Sequence, residues 1–171
     1  MVLSNRDIEN AIRNKEIIIK PLEKEQIGPA SIDLTLSKEW YFLKKEHVGA
    51  RVDLNKLSFK TAYKKINANM AVLAPGDMCL GKTVEKITLA PDIMGRLEGR
   101  SRYARMGVII HLTSALVQPG SSNRQVLEIV NLSPFTMILH EGMRISQVVF
   151  DRLDSKTTKP YAKFGKIAKR Q

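Results

Sequence analysis

The chain has 171 residues, 43% of them hydrophobic, with a single cysteine and a formal net charge of +11. That length and apolar content fit one globular domain over 1–171 with a core of ordinary size, and the charge points to anionic partners. One cysteine excludes a disulfide framework and any Cys-x-x-Cys metal site, and no apolar run is long enough to cross a bilayer, so no membrane and a cytoplasmic setting are expected.

Ser4 followed by Asp7, Ile8, Ala11 and Ile12 reads as an N-cap and an apolar helical face, predicting a short helix over 4–15. The β-branched triplet Ile17-Ile18-Ile19, closed by Pro21, predicts a strand. After the Gly28-Pro29 turn, residues 30–36 alternate apolar and polar with period two, as a half-buried strand does, and Trp40-Tyr41-Phe42-Leu43 reads as another. The basic, poorly patterned stretch from Lys44 to Ala71 reads mostly as an excursion. Met70 to Leu73, Pro75-Gly76-Asp77 and Met78 to Leu80 read as strand, turn and strand, and Thr83 to Leu89 alternates again. Further strands are expected at Ile93 to Leu97, Val126 to Asn131, Thr136 to Leu139 and Ile145 to Phe150. Short strands about ten residues apart, punctuated by Gly and Pro, predict an all-β sandwich or barrel. Residues 152–171 carry seven basic side chains against one acid, a tail that is either disordered or ordered by an anionic ligand.

Two features carry chemistry. Arg100 and Arg105, with Ser101 and Arg102 between them, supply forked donors and a hydroxyl of the kind that grips phosphate, although a surface cluster on so basic a protein needs no ligand to explain it. Glu128 shares a strand face with Val126 and Val130. If that face is the core, its carboxyl is costly unless functional, and burial raises its pKa toward a range suited to proton transfer; the alternative is a solvated edge-strand glutamate. His111 reads as a hydrogen-bonded structural histidine, and Cys79 as a small buried hydrophobe. A zinc nucleobase deaminase requires a Pro-Cys-x-x-Cys element, which one cysteine excludes, and neither a phosphate loop nor a dinucleotide fingerprint is present.

Gly99-Arg100-Ser101-Arg102-Tyr103-Ala104-Arg105-Met106-Gly107, His111-Leu112-Thr113-Ser114, Pro119-Gly120, Val126-Leu127-Glu128 and Gly142-Met143-Arg144-Ile145 closely resemble the dCTP deaminase branch of the dUTPase-like superfamily. Leu3 to Ile8, Pro29 to Leu34 and Lys159-Pro160-Tyr161 extend the resemblance over most of the chain, with 44–65 fitting least well. The resemblance implies a mainly β, distorted barrel or jelly-roll with a short N-terminal helix, assembled as a homotrimer with intersubunit active sites. It implies that Arg100, Ser101 and Arg105, in a segment that also holds Arg102, bind a triphosphate arriving with Mg2+, without zinc. Glu128 becomes the general base, Ser101 and the Ser114 backbone place the water, and Val126 and Leu127 line the base pocket. Tyr161 and Lys163 close over the nucleotide.

Within that resemblance, Gln118 occupies the position before the Pro119-Gly120 turn where the diphosphatases, and commonly the deaminases, have aspartate. An amide can contact the sugar but cannot take a proton near neutral pH. Ser121-Ser122-Asn123, Ser114 and Lys163-Phe164 also depart from the family pattern. The leading expectation is a zinc-independent deaminase converting dCTP to dUTP and ammonia. A dUTP diphosphatase or bifunctional enzyme is the alternative, and a non-catalytic basic nucleic-acid-binding or regulatory module is a third. Only 6% aromatic content and no stacking platform weigh against nucleic acid as the partner.

Overall fold

The computed structural model describes residues 1–111 and 113–163. Helix α1 (Asn5–Arg13) begins where Ser4 and Asp7 cap each other, the Asp7 amide donating to Ser4 Oγ and the Ser4 amide donating to the Asp7 carboxylate at 3.0 Å. Ile8 and Ala11 bury its inner face. The helix stops short of the expected residue 15 because Lys15 takes a positive φ of 59° and turns the chain into β1 (Ile17–Lys20).

After a 3-10 turn at Lys24–Gln26 comes β2 (Ile32–Leu43), one continuous strand of 12 residues where the sequence read as two. A second 3-10 turn (Lys45–His47) and the single-turn α2 (Phe59–Ala62) lead to β3 (Tyr63–Asn67) and β4 (Met70–Leu73). The supposed excursion therefore contains a strand, β3, whose mostly exposed, lysine-bearing residues pair only with β2. β5 (Met78–Leu89) likewise merges two expected strands, and β6 (Ile93–Gly99) follows. The remaining elements are α3 (Ser101–Ala104), β7 (Val108–Ile110), β8 (Leu116–Val117), β9 (Ser122–Asn131), β10 (Met137–His140) and β11 (Arg144–Arg152). A last 3-10 turn spans Tyr161–Lys163.

The main sheet runs β7-β9-β5-β2-β11-β6-β8, with β1 added to β5 and β3 to β2, and every pairing is antiparallel. It curls around a core that includes Ile32, Leu34, Trp40, Ile87, Ile129 and Phe150. Gly81 makes room for that core: a Cβ there would come within 2.8 Å of Leu36, 2.9 Å of Ile129 and 3.3 Å of Trp40. The Trp40 indole N–H donates to the Ala68 carbonyl at 2.9 Å, which satisfies its one polar atom inside the core.

The strands on either side of Pro75-Gly76-Asp77 do not belong to one sheet. β4 pairs with β10 in a separate two-stranded sheet, while β5 pairs with β9. Asn131 holds the parting: its side-chain amide donates to the carbonyls of Leu73 at 2.9 Å and Phe135 at 2.8 Å, and its backbone bonds Gly76 and Asp77. A buried asparagine with these bonds satisfies its own polarity and the backbone groups the diverted strand leaves open.

Candidate active site

β6 ends at Gly99 and delivers Arg100 to the start of α3, with Arg105 at the other end of that single turn. The Arg100 guanidinium lies 3.1 Å from the Asp33 carboxylate and donates to the Arg144 carbonyl at 2.9 Å. Asp33, on β2, has its carboxyl pKa raised by burial, with the charges of Arg100 and Arg144 opposing that shift. A cleft of about 370 Å³ opens here, lined among others by Ser31, Asp33, Arg100, Ser101 and Gln147. Ser31 donates to the Gln147 side chain at 2.8 Å, and Gln147 donates to the Gly99 carbonyl at 3.2 Å, fixing the cleft wall behind the arginine. Ser101, Arg102 and Arg105 are exposed beside it, and the Arg102 guanidinium sits 5.7 Å from the Tyr103 ring centre.

Glu128 does not line that cleft. It stands on β9 opposite Leu80, and its strand neighbours Leu127 and Ile129, both 0% exposed, occupy the core face. The face shared with Val126 and Val130 is therefore the outer one, which decides between the two alternatives left open by the sequence against a core-facing carboxylate, and the Glu128 side chain is 31% exposed. Leu127 correspondingly offers a ligand only its backbone, because its side chain is spent on packing. Val126 remains half-buried on the Glu128 face.

His111 is the unexpected member of this site. It has a positive φ of 52°, its side chain is 4% exposed, and among the described residues neither ring nitrogen has a hydrogen-bond partner, which corrects the expectation of a hydrogen-bonded residue. Its backbone N–H donates to the Glu128 carbonyl at 3.1 Å, and its Nδ1 stands 3.8 Å from Glu128 Oε2, outside hydrogen-bond range. Burial lowers the pKa of the imidazole and the Glu128 charge only partly opposes this, so the ring is neutral at pH 7 and the contact is not an ion pair. A strained, buried ring with unpaired nitrogens next to a carboxylate is the kind of stored cost found at functional sites.

Tyr63 also senses this carboxylate: burial and the Glu128 charge both raise its phenol pKa. Tyr63 belongs to β3, inside the stretch read as an excursion, and its ring packs on Phe59 with centroids 5.2 Å apart. On the same outer face, Glu39 accepts from Lys65 at 2.6 Å, from Lys82 at 3.0 Å and from the Tyr41 hydroxyl. Burial alone would raise the Glu39 pKa, but these three donors outweigh it and hold the carboxyl down to about 2, while burial and Glu39 push Tyr41 up to about 12. No sequence signal marked this cluster, since its members come from three strands.

Gln118 is exposed just before the Pro119-Gly120 turn, and its carbonyl accepts from the Ser121 amide at 3.1 Å. The C-terminal segment docks on that turn. The Tyr161 amide donates to the Pro119 carbonyl at 2.9 Å and the Ala162 amide to the Gly120 carbonyl at 3.2 Å. Tyr161 and Lys163 are thus brought beside Gln118, in the order read from the tail, whereas Phe164 and the rest of the tail lie outside the described residues. Ser114 is exposed in the segment between β7 and β8. Cys79 is buried as expected, and burial pushes its thiol up to about 12.

A family profile described as dCTP deaminase-like matches residues 2–153. The chain belongs to the dCTP deaminase-like family. Its relatives include a dCTP deaminase, dUMP-forming, of Methanopyrus kandleri, 38% identical over 169 residues that cover 94% of this chain and 86% of that one. A dCTP deaminase of Buchnera aphidicola is 39% identical over 171 residues, covering 94% and 89% respectively. Among solved structures, the 2'-deoxycytidine 5'-triphosphate deaminase of Agrobacterium tumefaciens superposes with a TM-score of 0.66 at 22% identity. That match covers 87% of this chain but 47% of the longer Agrobacterium chain. The EIAV dUTPase superposes with a TM-score of 0.54 at 15% identity, covering 84% and 92%. The two superpositions establish the dUTPase-like fold of this dCTP deaminase-like chain.

Proposed function

We propose that this chain deaminates dCTP to dUTP and ammonia. The observation that carries the reading is Glu128, an accessible carboxylate on an outward strand face beside a buried neutral imidazole, in a chain whose relatives are named dCTP deaminases. Glu128 takes a proton from water as the oxygen adds to cytosine C4. It returns that proton to the exocyclic nitrogen, the C4–N bond breaks and ammonia leaves, while the hydroxyl proton at C4 passes to N3 and C4 becomes the carbonyl of uracil. Ser101 and the backbone at Ser114 hold the water, and the Val126 side chain with the Leu127 backbone borders the base.

The triphosphate lies on Arg100, Ser101, Arg102 and Arg105. Asp33 keeps Arg100 pointed at the cleft while leaving guanidinium donors for phosphate oxygens. Gln118 contacts the sugar, and Tyr161 and Lys163 cover the nucleotide from the turn on which they dock. Magnesium, a hard cation that favours oxygen ligands, travels on the triphosphate; the cleft presents Asp33, Ser31 and Ser101 oxygens compatible with such a complex. The reading needs no zinc. Because the cleft at Arg100 does not include Glu128, we assign the two to facing subunits of a homotrimer, whose contact also removes Glu128 from water. Among the described residues no helix is long and apolar enough to cross a membrane, and we assign the chain to the cytoplasm.

A second reading, deamination carried on to dUMP, is favoured by the Methanopyrus relative, which is named dUMP-forming. Gln118 opposes it, since an amide cannot act as a base on a second water. Incubation with magnesium and either dCTP or dUTP, with ammonia, dUTP, dUMP and pyrophosphate measured together, separates the readings. Ammonia with dUTP accumulating is expected. Pyrophosphate release would move the assignment to the second reading, and normal turnover by Glu128→Gln would overturn the mechanism.

A further inference from the structure

The pairing register of β1, β5 and β9 sets Lys20 opposite Lys86 and Lys86 opposite Arg124. Residues 20, 86 and 124 are far apart in sequence, yet they form one row of three cations across three adjacent strands, and all three are exposed. Adjacent strands are about 4.8 Å apart, so the row spans roughly 10 Å. None of the three has an ion-pair partner among the described residues: the neighbouring Glu23 is engaged by Arg144 at 2.6 Å, and Glu16 by Arg152 at 2.6 Å. Directly opposed like charges destabilise a sheet, and here the arrangement is repeated twice in a row. Sequences that break a local rule in this way do so mainly at functional positions.

The next register position adds hydroxyls. Thr88 and Ser122 face each other at 2.7 Å between their oxygens, on the same face and immediately beside the cations. Ile18, Thr88 and Ser122 complete that neighbouring row, with no aromatic side chain and no large exposed apolar side chain to enter a lipid layer. The row is carried by three strands, so none of its cations is on a helix that could enter a major groove. A narrow linear track of cations and hydroxyls on one strand face matches one phosphodiester chain.

We propose that the Lys20–Lys86–Arg124 row binds the backbone of single-stranded nucleic acid through phosphate contacts alone, without base stacking and without reading its sequence. The row shares no residue with those assigned to the nucleotide, although Arg124 lies two residues before Val126 on the same face of β9. Neutralising three backbone contacts lowers the salt dependence of binding in a calculable way, about 0.7 per phosphate for single strands, hence about 2 in the slope of log affinity against log salt.

The test is fluorescence anisotropy of the full chain with a labelled oligothymidylate lacking terminal phosphates, at several salt concentrations and with saturating dCTP. The variant Lys20→Gln/Lys86→Gln/Arg124→Gln is compared with a charge-matched control, Lys45→Gln/Lys60→Gln/Lys64→Gln, whose residues are outside the row. The expected result is that the row variant loses about 2 in slope, keeps wild-type dCTP turnover and gains in Tm, while the control retains the wild-type slope. Four outcomes overturn the proposal. They are no oligothymidylate binding by the wild type, equal losses in both variants, an unchanged slope in the row variant, and tighter binding to duplex DNA or anionic vesicles than to the single strand. Loss of deaminase activity in the wild-type protein would not bear on it, because the readout is binding.

Discussion

Gly120 is the hinge on which the C-terminal segment is seated, and replacing it with alanine separates two costs. Its φ of +74° lies in the left-handed region, where a side chain costs about 1 to 2 kcal/mol. An added Cβ would also stand 2.5 Å from Pro160 Cβ, 3.1 Å from Pro160 Cα and 3.3 Å from the Tyr161 nitrogen. Neither Pro160 nor the backbone behind it can swing aside as a flexible side chain would. The segment relieves the clash by leaving, so that cost is capped at its docking free energy, chiefly the two backbone bonds from Tyr161 and Ala162, about 1 kcal/mol each. Gly120→Ala is therefore expected to lower global stability in urea by about 3 to 4 kcal/mol, the left-handed cost and the lost docking together. It also raises the undocked population of the segment about 30-fold, at about 1.4 kcal/mol per factor of ten. Trypsin cleavage after Lys163 under native conditions reads the second effect, since the Lys159–Pro160 bond resists trypsin, and KM for dCTP should rise with it. Adding Pro160→Gly should restore some protection of Lys163 and the matching part of global stability, leaving the left-handed cost in place. Unchanged cleavage in Gly120→Ala would refute the docking argument.

Three further outcomes follow from the site. The His111 pKa is lowered in the folded chain from its ordinary 6.5, so the neutral ring's contribution is present above pH 6.5 and is lost as pH falls through the folded value. Urea midpoints of the wild type should therefore fall between pH 8 and pH 5 more steeply than those of His111→Asn, a residue that tolerates the positive φ; parallel curves would contradict the buried neutral assignment. Asp33→Asn removes the charge that orients Arg100 and should raise KM for dCTP about tenfold, worth about 1.4 kcal/mol, with a smaller change in kcat. For Glu39 and Lys82, a double-mutant cycle with Glu39→Gln and Lys82→Met should give a coupling of about 1 kcal/mol at low salt, shrinking as salt is added.

The β architecture was legible because alternation and turn residues report strands directly, and the capping pair Ser4 and Asp7 marked α1 to within two residues at its end. What failed to show was continuity and pairing. Ser37-Lys38-Glu39 looked like a break, yet β2 runs through it: the pairing with β5 shifts register between Leu36 and Trp40, which leaves Lys38 exposed while Leu36 and Trp40 stay buried. β3 was hidden for the opposite reason: Tyr63-Lys64-Lys65-Ile66-Asn67 has almost no buried face, so its strand character comes from pairing with β2. The cation row is invisible in the same way, since only register brings Lys20, Lys86 and Arg124 together.

Strand β9 shows where a sequence pattern stops and chemistry begins. Val126 and Val130 on one side, Leu127 and Ile129 on the other, are equally apolar, so alternation gives two faces without saying which is inside. Packing resolves it in favour of Leu127 and Ile129. Glu128 is consequently not a carboxyl activated by its own core. It is held outward by the strand that packs those two side chains, and its neighbours are the orphaned His111 ring and the Tyr63 phenol. A carboxylate so placed works as a base on cytosine only when something excludes water from it. Within one chain, besides His111, the Tyr63 ring packed on Phe59 is close enough for the Glu128 charge to raise its phenol pKa. The valines on the Glu128 face, half-buried in the single chain, are the surface a second subunit would complete. On that assignment, dilution below the trimer's dissociation range should abolish turnover while the fold persists, and turnover proportional to protein concentration down to the monomer would place the whole site within one chain.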